Sequence, residues 1–478
     1  MPRASAPILA GGCRRRPAEV PCFRMSRPLP PLQPLVDAHP EVHLLWDERL
    51  SSRALLAVGN RRSLTVHAPK RGAWAAWQAF VTASRARGEW VFGWIGYDMH
   101  EGLDLAEPAA KPHLPSPHPG EWPLLHWVVP EVVLEWPSGA TKPTVVQGAG
   151  SELASSVLAA LDEAGPAARE ARSAGGEADR AHEAGGAGAA CARDMHSAGT
   201  QASTPLTPGW SKDTYMAKFN DVHRALKRGD LYEMNLCMPW HGTLDGTESW
   251  ATFERLATAT RAPHSAYLQA GPWRMLSASP ERFVERRGNT LRSQPIKGTV
   301  RRGNTDDEDA QLAEAMQASE KERAENVMIV DLVRNDLSRV AIPRSVDVEE
   351  LFGLRTLATV HQLVSTVRCE VPPNVSELDI LTALFPMGSM TGAPKLSAMD
   401  CIARVEETGR GVYSGTVGYV APSGDFDLNV VIRTLLHNAE TGRVDATVGG
   451  AITLLADAEQ EHAECLLKAE ALRTCLAP

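Results

Sequence analysis

The sequence predicts a mixed α/β fold, and three observations support this prediction. Short apolar runs rich in β-branched and aromatic residues, which are typical of strands, recur along the chain. Between them lie longer segments whose apolar residues recur at helical spacing. The 478 residues are 43% hydrophobic and 22% charged, which is the balance of a globular protein with a sizeable core. This length fits one large domain or two to three ordinary ones.

The first third of the chain contains both kinds of segment. We predict strands over residues 42–46 and 90–97 and within 122–136, because these stretches combine valine, leucine and isoleucine with tryptophan or tyrosine. Residues 74–86 and 151–164 have the apolar periodicity of helices. This part is therefore expected to be folded.

The C-terminal half has longer helices and further strands. We predict helices over residues 215–228, 319–340 and 459–476, the first of them stopping at a glycine. Residues 415–419 and 429–436 are apolar and are predicted to be buried strands. Together these elements predict a second globular region.

Composition divides the chain into four parts. Residues 1–28 are predicted to be a disordered N-terminal extension, within which Met25 is an alternative start. Residues 29–164 are predicted to form an N-terminal folded region, and residues 210–476 a second, larger domain. Between them, residues 165–209 are rich in alanine and glycine and contain almost no large apolar side chains. Such a stretch buries too little surface to offset its chain entropy, so it is predicted to be a disordered linker or insertion.

Charge and cysteine usage exclude several classes of protein. The net charge of −9 disfavours binding to nucleic acid, which requires clustered lysine and arginine. No stretch reaches the roughly 18 consecutive apolar residues of a membrane helix. The 8 cysteines are scattered and form no C-x-x-C pair, so reduced thiols and a cytoplasmic location are expected.

Lys297 is an unusual lysine because it lies between an apolar residue and a glycine directly after strand-like sequence. Pro295 fixes one backbone angle, and Gly298 permits a positive φ. An amine held in this way can act as a nucleophile if its surroundings lower its pKa. The alternative is a lysine at a strand end whose ammonium group reaches solvent.

Two helical segments place pairs of carboxylates on one face. Glu322 and Glu325 are three residues apart in one helix, and Glu461 and Glu464 have the same spacing in another, where Lys468 follows on the same face. Two such faces that converge could hold Mg²⁺, which prefers carboxylates and retained waters beside an anionic substrate. The alternative is two solvated helix faces with ordinary ion pairs.

Two further features predict anion binding. Residues 385–395 contain two glycines and two hydroxyl side chains before a predicted helix, so their N–H groups could face an anion, although the P-loop order is absent. The alternative is a plain turn. Arg433 lies inside an apolar strand-like run, where a charge is costly unless it is paired. We expect it to meet a carboxylate of the protein or of a substrate.

Six blocks in a fixed order resemble the chorismate-utilising enzymes, which include the anthranilate, isochorismate and salicylate synthases. Each block is weak alone, and together they span nearly all of residues 212–472. The blocks are residues 229–236, 279–283, 295–299, 324–337, 385–395 and 410–433.

This resemblance implies a fold of two facing antiparallel β-sheets with helices on the outside. It also implies a Mg²⁺ cofactor and chorismate as substrate. Anthranilate synthases typically carry alanine where Lys297 stands. A lysine there resembles the members that form 4-amino-4-deoxychorismate, the precursor of 4-aminobenzoate in folate biosynthesis. The resemblance implies that this lysine adds to C2, that the C4 hydroxyl leaves, and that ammonia from a separate glutamine amidotransferase subunit enters at C4.

Site residues are carried over from the family by position. The resemblance implies that Lys297 is the nucleophile and that Glu281 is the general acid and base beside the C4 hydroxyl. It implies that Glu325 and Glu464 are Mg²⁺ ligands, and Glu322 and Glu461 are added as candidates from the same helix faces. The candidates for substrate binding are Tyr413, Arg433, Gly449, Gly450, Lys468, Thr299, Thr391 and Gly392.

The sequence departs from the family at several positions. Met387 and Ala451 stand where glycines are usual, which is the reason to consider a catalytically silent binding subunit. Glu233 replaces a common glutamine and is not the lysine that isochorismate-type members use to activate water. Gln362 replaces a histidine typical of anthranilate synthases. Anthranilate or isochorismate synthesis remains the alternative within the family.

Overall fold

The computed structural model describes the chain in seven segments, which are residues 29–47, 53–70, 72–103, 122–138, 140, 142–162 and 203–476. In chain order the strands are β1 (Glu41–Trp46), β2 (Ala54–Val58), β3 (Arg62–Val66), β4 (Val91–Ile95), β5 (Leu125–Val129), β6 (Val132–Trp136), β7 (Thr144–Gln147), β8 (Thr204–Pro208), β9 (Glu233–Thr243), β10 (His264–Ala270), β11 (Trp273–Ser279), β12 (Arg282–Arg287), β13 (Thr290–Gln294), β14 (Ile296–Arg301), β15 (Asp347–Thr356), β16 (Val360–Glu370), β17 (Gly392–Ala393), β18 (Thr416–Val420), β19 (Phe426–Val430), β20 (Thr434–Asn438) and β21 (Arg443–Thr453).

Helices connect many of these strands. They are α1 (Gln33–Ala38), α2 (Ala73–Arg85), α3 (152–162), α4 (Lys212–Arg228), α5 (Ser249–Thr260), α6 (Asp306–Ala318), α7 (Glu320–Ser338), α8 (Glu377–Leu384), α9 (Gly388–Thr391), α10 (Lys395–Glu406) and α11 (Ala458–Leu476). Short 3-10 turns cover Tyr97–Gly102 and Gly246–Glu248. Among the described residues, none of the helices is both long and apolar enough to cross a membrane.

The strands form two antiparallel sheets that face each other. The first has 11 strands in the order β17-β9-β21-β20-β11-β10-β1-β2-β6-β7, with β8 beside β9. The second has 10 strands in the order β14-β16-β13-β12-β19-β18-β4-β5-β3, with β15 beside β16. Side chains of both sheets meet in one apolar cluster that includes Trp94, Leu268, Met275 and Val417. The predicted fold of two facing antiparallel sheets is therefore confirmed.

Helices cover the outer faces of the two sheets. Apolar residues of α4, α5, α10 and α11 pack on the first sheet in one large core, and those of α2, α7 and α8 pack on the second. Helix α4 begins where the Ser211 hydroxyl accepts a hydrogen bond from the Thr214 N–H, and it ends at Gly229 with φ of 80°. The predicted helices over 74–86, 215–228, 319–340 and 459–476 correspond to these elements.

The N-terminal region contributes strands to both sheets. Strands β1, β2, β6 and β7 belong to the first sheet, and β3, β4 and β5 belong to the second. Strand β1 pairs with β10, and β4 pairs with β18. The predicted parts 29–164 and 210–476 therefore share both sheets instead of forming separate ones.

Two details of the structure differ from the prediction. Residues 1–28 and most of the predicted linker over 165–209 lie outside the described residues, but Thr204–Pro208 form strand β8. The Leu206 side chain is buried there, which gives the strand an apolar anchor. The predicted strand over 429–436 is wrong as one element, because the chain leaves the second sheet at Val430 and enters the first at Thr434. The run is largely apolar because both of its halves lie in buried strands.

Candidate active site

One cavity brings together most of the predicted site residues. It has a volume of about 150 Å³. It lies among β14, β21, α7, α11 and the turn between β11 and β12. The predicted residues that line it are Glu281, Lys297, Thr299, Glu322, Glu325, Tyr413, Arg433, Gly449, Gly450, Glu461, Glu464 and Lys468.

Lys297 projects into this cavity from strand β14. The strand has an irregular register between Lys297 and Thr299, and Gly298 has φ of 79°. A Cβ at Gly298 would lie 2.9 Å from the Glu322 carboxylate, so glycine permits both the turn and the close approach. The Lys297 ammonium group donates a hydrogen bond of 2.5 Å to Glu233 Oε1. Burial lowers the pKa of Lys297, but Glu233 and other carboxylates outweigh it and raise that pKa above its usual value.

Glu281 is a buried carboxyl group at the turn between β11 and β12. The Ser389 hydroxyl donates a hydrogen bond of 2.6 Å to Glu281 Oε1. Burial raises the pKa of Glu281 to about 7, although Ser389 and the charge of Lys297 act in the opposite direction. A carboxyl group with this pKa can both donate and accept a proton near neutral pH. Ser389 was not among the predicted site residues. In the sequence it is only one of two hydroxyl side chains within the glycine-rich segment 385–395.

Four carboxylates from two helices meet at the cavity. Glu322 and Glu325 come from α7, and Glu461 and Glu464 come from α11. Burial is the main cause that raises the pKa of Glu325 to about 7, and the nearby charges of Glu233 and Glu322 add to it. Burial likewise raises the pKa of Glu461, to which Glu464 contributes. Glu325 and Glu461 are therefore buried and not solvated, whereas Glu464 is exposed and forms an ion pair with Lys468, as the alternative interpretation expects.

The residues present fit a hard divalent cation. Glu325 Oε1 is buried and has no hydrogen-bond partner among the described residues, and the nearest cation in α7 is Lys321 at 4.0 Å. Carboxylates that repel one another and lack donors are favourable ligands for Mg²⁺. Elsewhere in the described chain, Glu41, His43 and His126 bring three possible metal-ligand atoms within 4.8 Å of one another. Mg²⁺ does not require three protein ligands, since it commonly binds through one or two carboxylates plus substrate and water.

Lys468 and two glycines form the wall beside these carboxylates. The Lys468 ammonium group donates to the Gly449 carbonyl at 2.8 Å and pairs with Glu464 Oε1 at 2.6 Å. A Cβ at Gly450 would lie 3.1 Å from a Glu461 oxygen. Glycine therefore keeps the strand β21 backbone open to the cavity beside the acidic groups. Ala451 follows and also lines the cavity.

Arg433 lies in the crossing between the two sheets, not inside a strand. Its backbone has φ of 52°, and its half-buried side chain lines the cavity. Among the described residues it forms no side-chain ion pair, although Tyr413 and Glu464 are near enough to affect its charge. The Tyr413 hydroxyl lies beside Cys237 Sγ at 3.7 Å. The anion that Arg433 was expected to meet is therefore not a paired protein carboxylate.

Thr391 and Gly392 do not line the cavity. The Thr391 hydroxyl donates to carbonyls within its own short helix, and Gly392 pairs with Met234 as part of β17. A Cβ at Gly392 would lie 2.2 Å from the Glu233 carbonyl oxygen, so this glycine permits strand pairing. The predicted anion-binding turn over 385–395 contributes Ser389 and Met390 to the cavity instead.

The departures from the family pattern occupy different places. Gln362 lines the cavity, and its amide lies 3.4 Å from the Thr299 hydroxyl. His361 hydrogen bonds to Thr356 and Asp309 and does not line the cavity. Met387 is a buried core residue outside the cavity wall, so its side chain does not narrow the cavity.

Comparison with known proteins identifies related sequences over the folded part of the chain. The family model described as chorismate binding enzyme matches residues 41–474. The "Aminodeoxychorismate synthase component 1" of Salmonella typhimurium is 41% identical over 263 residues, which are 54% of this chain and 57% of the relative. The "Aminodeoxychorismate synthase" of Streptomyces griseus is 43% identical over 270 residues, which are 56% of this chain and 37% of the relative.

Solved structures share the fold at lower identity. The menaquinone-specific isochorismate synthase from Escherichia coli has a TM-score of 0.67 and 17% identity, covering 94% of this chain and 91% of that one. Anthranilate synthase component I from Streptococcus pneumoniae has a TM-score of 0.65 and 21% identity, covering 97% of this chain and 95% of that one. At this identity the likeness supports the two-sheet fold alone.

Proposed function

Because this chain belongs to the chorismate binding enzyme family, we propose that it forms 4-amino-4-deoxychorismate from chorismate and ammonia. The observation that carries the proposal is the placement of Lys297 in a cavity beside Glu281 and four carboxylates. Its most similar relatives described above are named for this product, although the alignments cover little more than half of the first of them. The product would supply 4-aminobenzoate and folate biosynthesis.

Lys297 and Glu281 would carry out the chemistry. The Lys297 amine attacks C2 of chorismate, the two ring double bonds shift in turn toward C4, and the C4–O bond breaks. Glu281 gives its proton to the departing hydroxyl, for which a pKa of about 7 is suitable. Ammonia then attacks C4, and the amine of Lys297 leaves C2. Covalent catalysis of this kind divides one difficult substitution into two easier ones.

The remaining residues would bind and orient chorismate. Glu325 and Glu464, with Glu322 and Glu461 close by, would hold Mg²⁺, which neutralises the ring carboxylate of the substrate when bound. Lys468 and the backbone of Gly449 and Gly450 would lie on the other side of that carboxylate. Arg433, which forms no ion pair among the described residues, and Tyr413 would hold the enolpyruvyl carboxylate.

Ammonia would come from a separate glutamine amidotransferase subunit. Two relatives carry "component 1" in their names, which is consistent with a second component. A cytoplasmic location belongs to the same proposal, because the scattered cysteines are expected to be reduced thiols. Partner and location both stay part of the proposal.

The experiment that tests this function supplies chorismate, Mg²⁺ and an ammonium salt, followed by a lyase that converts the product to 4-aminobenzoate. We expect 4-aminobenzoate, and we expect glutamine to replace ammonium only when an amidotransferase subunit is added. Formation of 2-aminobenzoate or isochorismate would replace the proposed function with another reaction of the same family. Chorismate binding without turnover at saturating Mg²⁺ would indicate a silent binding subunit.

A further inference from the structure

Glu233 is a buried carboxylate that touches Lys297 and has no part in the steps above. Resting on the proposed function, we propose that Glu233 is the base that receives the Lys297 proton and converts the resting ammonium group into a nucleophilic amine. This assigns a catalytic role to a residue outside the cavity wall, on strand β9 behind the lysine.

The contact between the two side chains is direct and shielded. Glu233 Oε1 lies 2.5 Å from Lys297 Nζ, and the side chains are 1% and 10% exposed. Glu233 Oε2 is also buried and has no hydrogen-bond partner among the described residues. A structural carboxylate is usually held in its charged form by hydrogen bonds from serine hydroxyls, backbone N–H groups or arginine. Glu233 has none of these donors in the described chain. Lys297 is its one hydrogen-bond donor in the described chain.

The resting state of this pair is an ammonium and a carboxylate. The carboxylates whose charge acts on Lys297 come from four elements of the fold, and they are Glu233 of β9, Glu325 and Glu322 of α7, Glu281 of the β11–β12 turn and Glu464 of α11. An ammonium group has no lone pair, so it cannot attack C2 until a proton leaves. Activation of the nucleophile is therefore a separate requirement of the reaction.

Glu281, Glu325 and Glu464 are committed elsewhere, and Glu322 forms no hydrogen bond with Lys297 in the described chain. Glu281 is held by Ser389 and must carry its own proton to the C4 hydroxyl. Glu325 and Glu464 would bind the metal, which prevents them from accepting a proton at the same time. Glu233 is the acceptor already within hydrogen-bond distance, as general base catalysis requires.

The proton balance of the step closes within the site. Lys297–NH₃⁺ passes one proton to Glu233, which becomes a neutral carboxylic acid. The free amine forms the N–C2 bond while the C4–O bond breaks, and Glu281 supplies the proton that makes water of the departing hydroxyl. When ammonia later attacks C4 and displaces the amine from C2, the new C4 ammonium group returns a proton to Glu281, Lys297 regains a proton from Glu233, and the site returns to its resting state.

The test measures the rate at which Lys297 becomes attached to the substrate, without ammonium, whose own ionisation would distort the pH profile. Enzyme, chorismate and saturating Mg²⁺ are mixed between pH 5.5 and 6.5, quenched in acid and analysed by protein mass spectrometry for the adduct. With an internal base the wild-type rate should stay within about twofold over this range. In Glu233→Gln the proton must go to solvent, so the rate should rise about tenfold per pH unit.

Two variants separate proton transfer from packing. Glu377→Gln removes a different buried carboxylate, paired with Arg85 away from the cavity, and should leave the flat profile unchanged. Glu233→Asp restores a carboxylate and should restore the flat profile. An Asp variant that behaves like the Gln variant would attribute the effect to packing and overturn the proposal.

A second readout does not depend on turnover. Competitive acetylation of the chorismate-free enzyme across a pH series reports the protonation of each lysine, with the peptide of the exposed Lys227 as internal reference. In Glu233→Gln, the pH of half-maximal labelling at Lys297 should fall by at least about one unit, whereas Glu377→Gln should leave it in place. An unchanged value at Lys297 would overturn the ion pair on which the proposal rests.

The outcomes for the two proposals are distinct. A flat adduct profile in Glu233→Gln overturns the role of Glu233 while the proposed function stands. A wild-type rate that itself rises tenfold per pH unit also overturns that role, even if the Gln variant does not fold. Absence of the adduct and of the aminated product in the wild type would overturn the proposed function, and the role of Glu233 with it.

Discussion

Lys297 and Lys395 are both largely buried, and each has a carboxylate oxygen 2.5 Å away. Lys395 donates to Asp336 and also to the carbonyls of Leu384 and Pro386, so its three donors are used. Lys297 donates to Glu233 alone among the described residues. A buried lysine whose N–H donors all have protein acceptors stabilises the fold. A lysine that faces a cavity with N–H donors still unpaired is available to bind a ligand.

Two arginines repeat this contrast. Arg410 is buried and forms hydrogen bonds with Glu406 and with the carbonyls of Met390 and Asn235. Arg433 lines the cavity and forms no ion pair among the described residues. We therefore expect substitutions at Lys395 and Arg410 to change stability first, and substitutions at Lys297 and Arg433 to change substrate binding and turnover first.

The largest expected effect is on Lys297→Ala. Removal of the nucleophile should lower 4-aminobenzoate formation at least about a thousandfold. The melting temperature should fall as well, because Glu233 is left buried without its cation, so activity is compared per folded molecule below the unfolding transition. Coupled assay and calorimetry on the same preparation measure both quantities. An aminated product formed at the wild-type rate would contradict the covalent role.

Lys395→Met tests the other member of the pair. It leaves Asp336 buried without its cation and two carbonyls without donors, which should cost about 3–5 kcal/mol of unfolding free energy. Denaturant titration measures the loss. Activity per folded molecule should remain near that of the wild type below the unfolding transition. A stable variant with a specific catalytic defect would remove the distinction between the two lysines.

Glu281→Gln should lower the rate of adduct formation about a hundredfold, because the C4 hydroxyl then leaves without a proton donor. The wild-type rate should also fall as pH rises through about 7, since the pKa of Glu281 is raised to about 7 and the donor is lost above it. The Gln variant should lack this decline. Stopped-time assays from pH 6 to 8 compare the two profiles.

Glu325→Gln sharpens the comparison for the acidic groups. Since the pKa of Glu325 is raised to about 7 in the folded state, the folded protein binds more protons than the unfolded chain, and stability falls as pH rises from about 4.5 through 7. Without metal, the variant should therefore be more stable than the wild type at pH 8, by about 3 kcal/mol. Adding Mg²⁺ should stabilise the wild type more than the variant. Melting curves with Mg²⁺ and with a chelator measure both effects.

Arg433→Lys should have the smallest effect. The charge remains, but bidentate contact with a carboxylate is lost, so KM for chorismate should rise about tenfold with kcat less affected. The corresponding Arg410→Lys should lower the melting temperature instead. Equal changes in KM for both variants would show that hydrogen-bond satisfaction does not separate binding arginines from structural ones.

The sequence was sufficient for five of the helices, for a few of the strands and for most of the residues that line the cavity. Helix periodicity placed Glu322 and Glu325, and Glu461 and Glu464, on shared faces, and the order of family blocks predicted that these faces meet. It was insufficient where long-range contacts decide. The Ser389 hydroxyl is identified by its bond to Glu281, a residue 108 positions away.

Arg433 shows why an apolar run can mislead. Residues on both sides of it are buried strands, so periodicity suggested one strand, while the structure places them in different sheets. Thr391 shows the opposite error, because its hydroxyl is used by its own helix and not by the cavity. A local sequence pattern does not show which group a polar side chain will form a hydrogen bond with.

The interleaving of distant strands has a consequence for synthesis of the chain. Strand β1 pairs with β10, more than 200 residues later, and the cavity is completed by Glu461, Glu464 and Lys468 of α11, the last helix described. Contacts of such separation form slowly, and the cavity proposed to bind chorismate and Mg²⁺ is incomplete in a nascent chain until α11 has left the ribosome. Binding of a substrate or metal in this cavity therefore could not stabilise early folding intermediates. The apolar faces of the first sheet would also remain exposed until its central strands have been synthesised. We therefore expect folding of this chain to depend on chaperones.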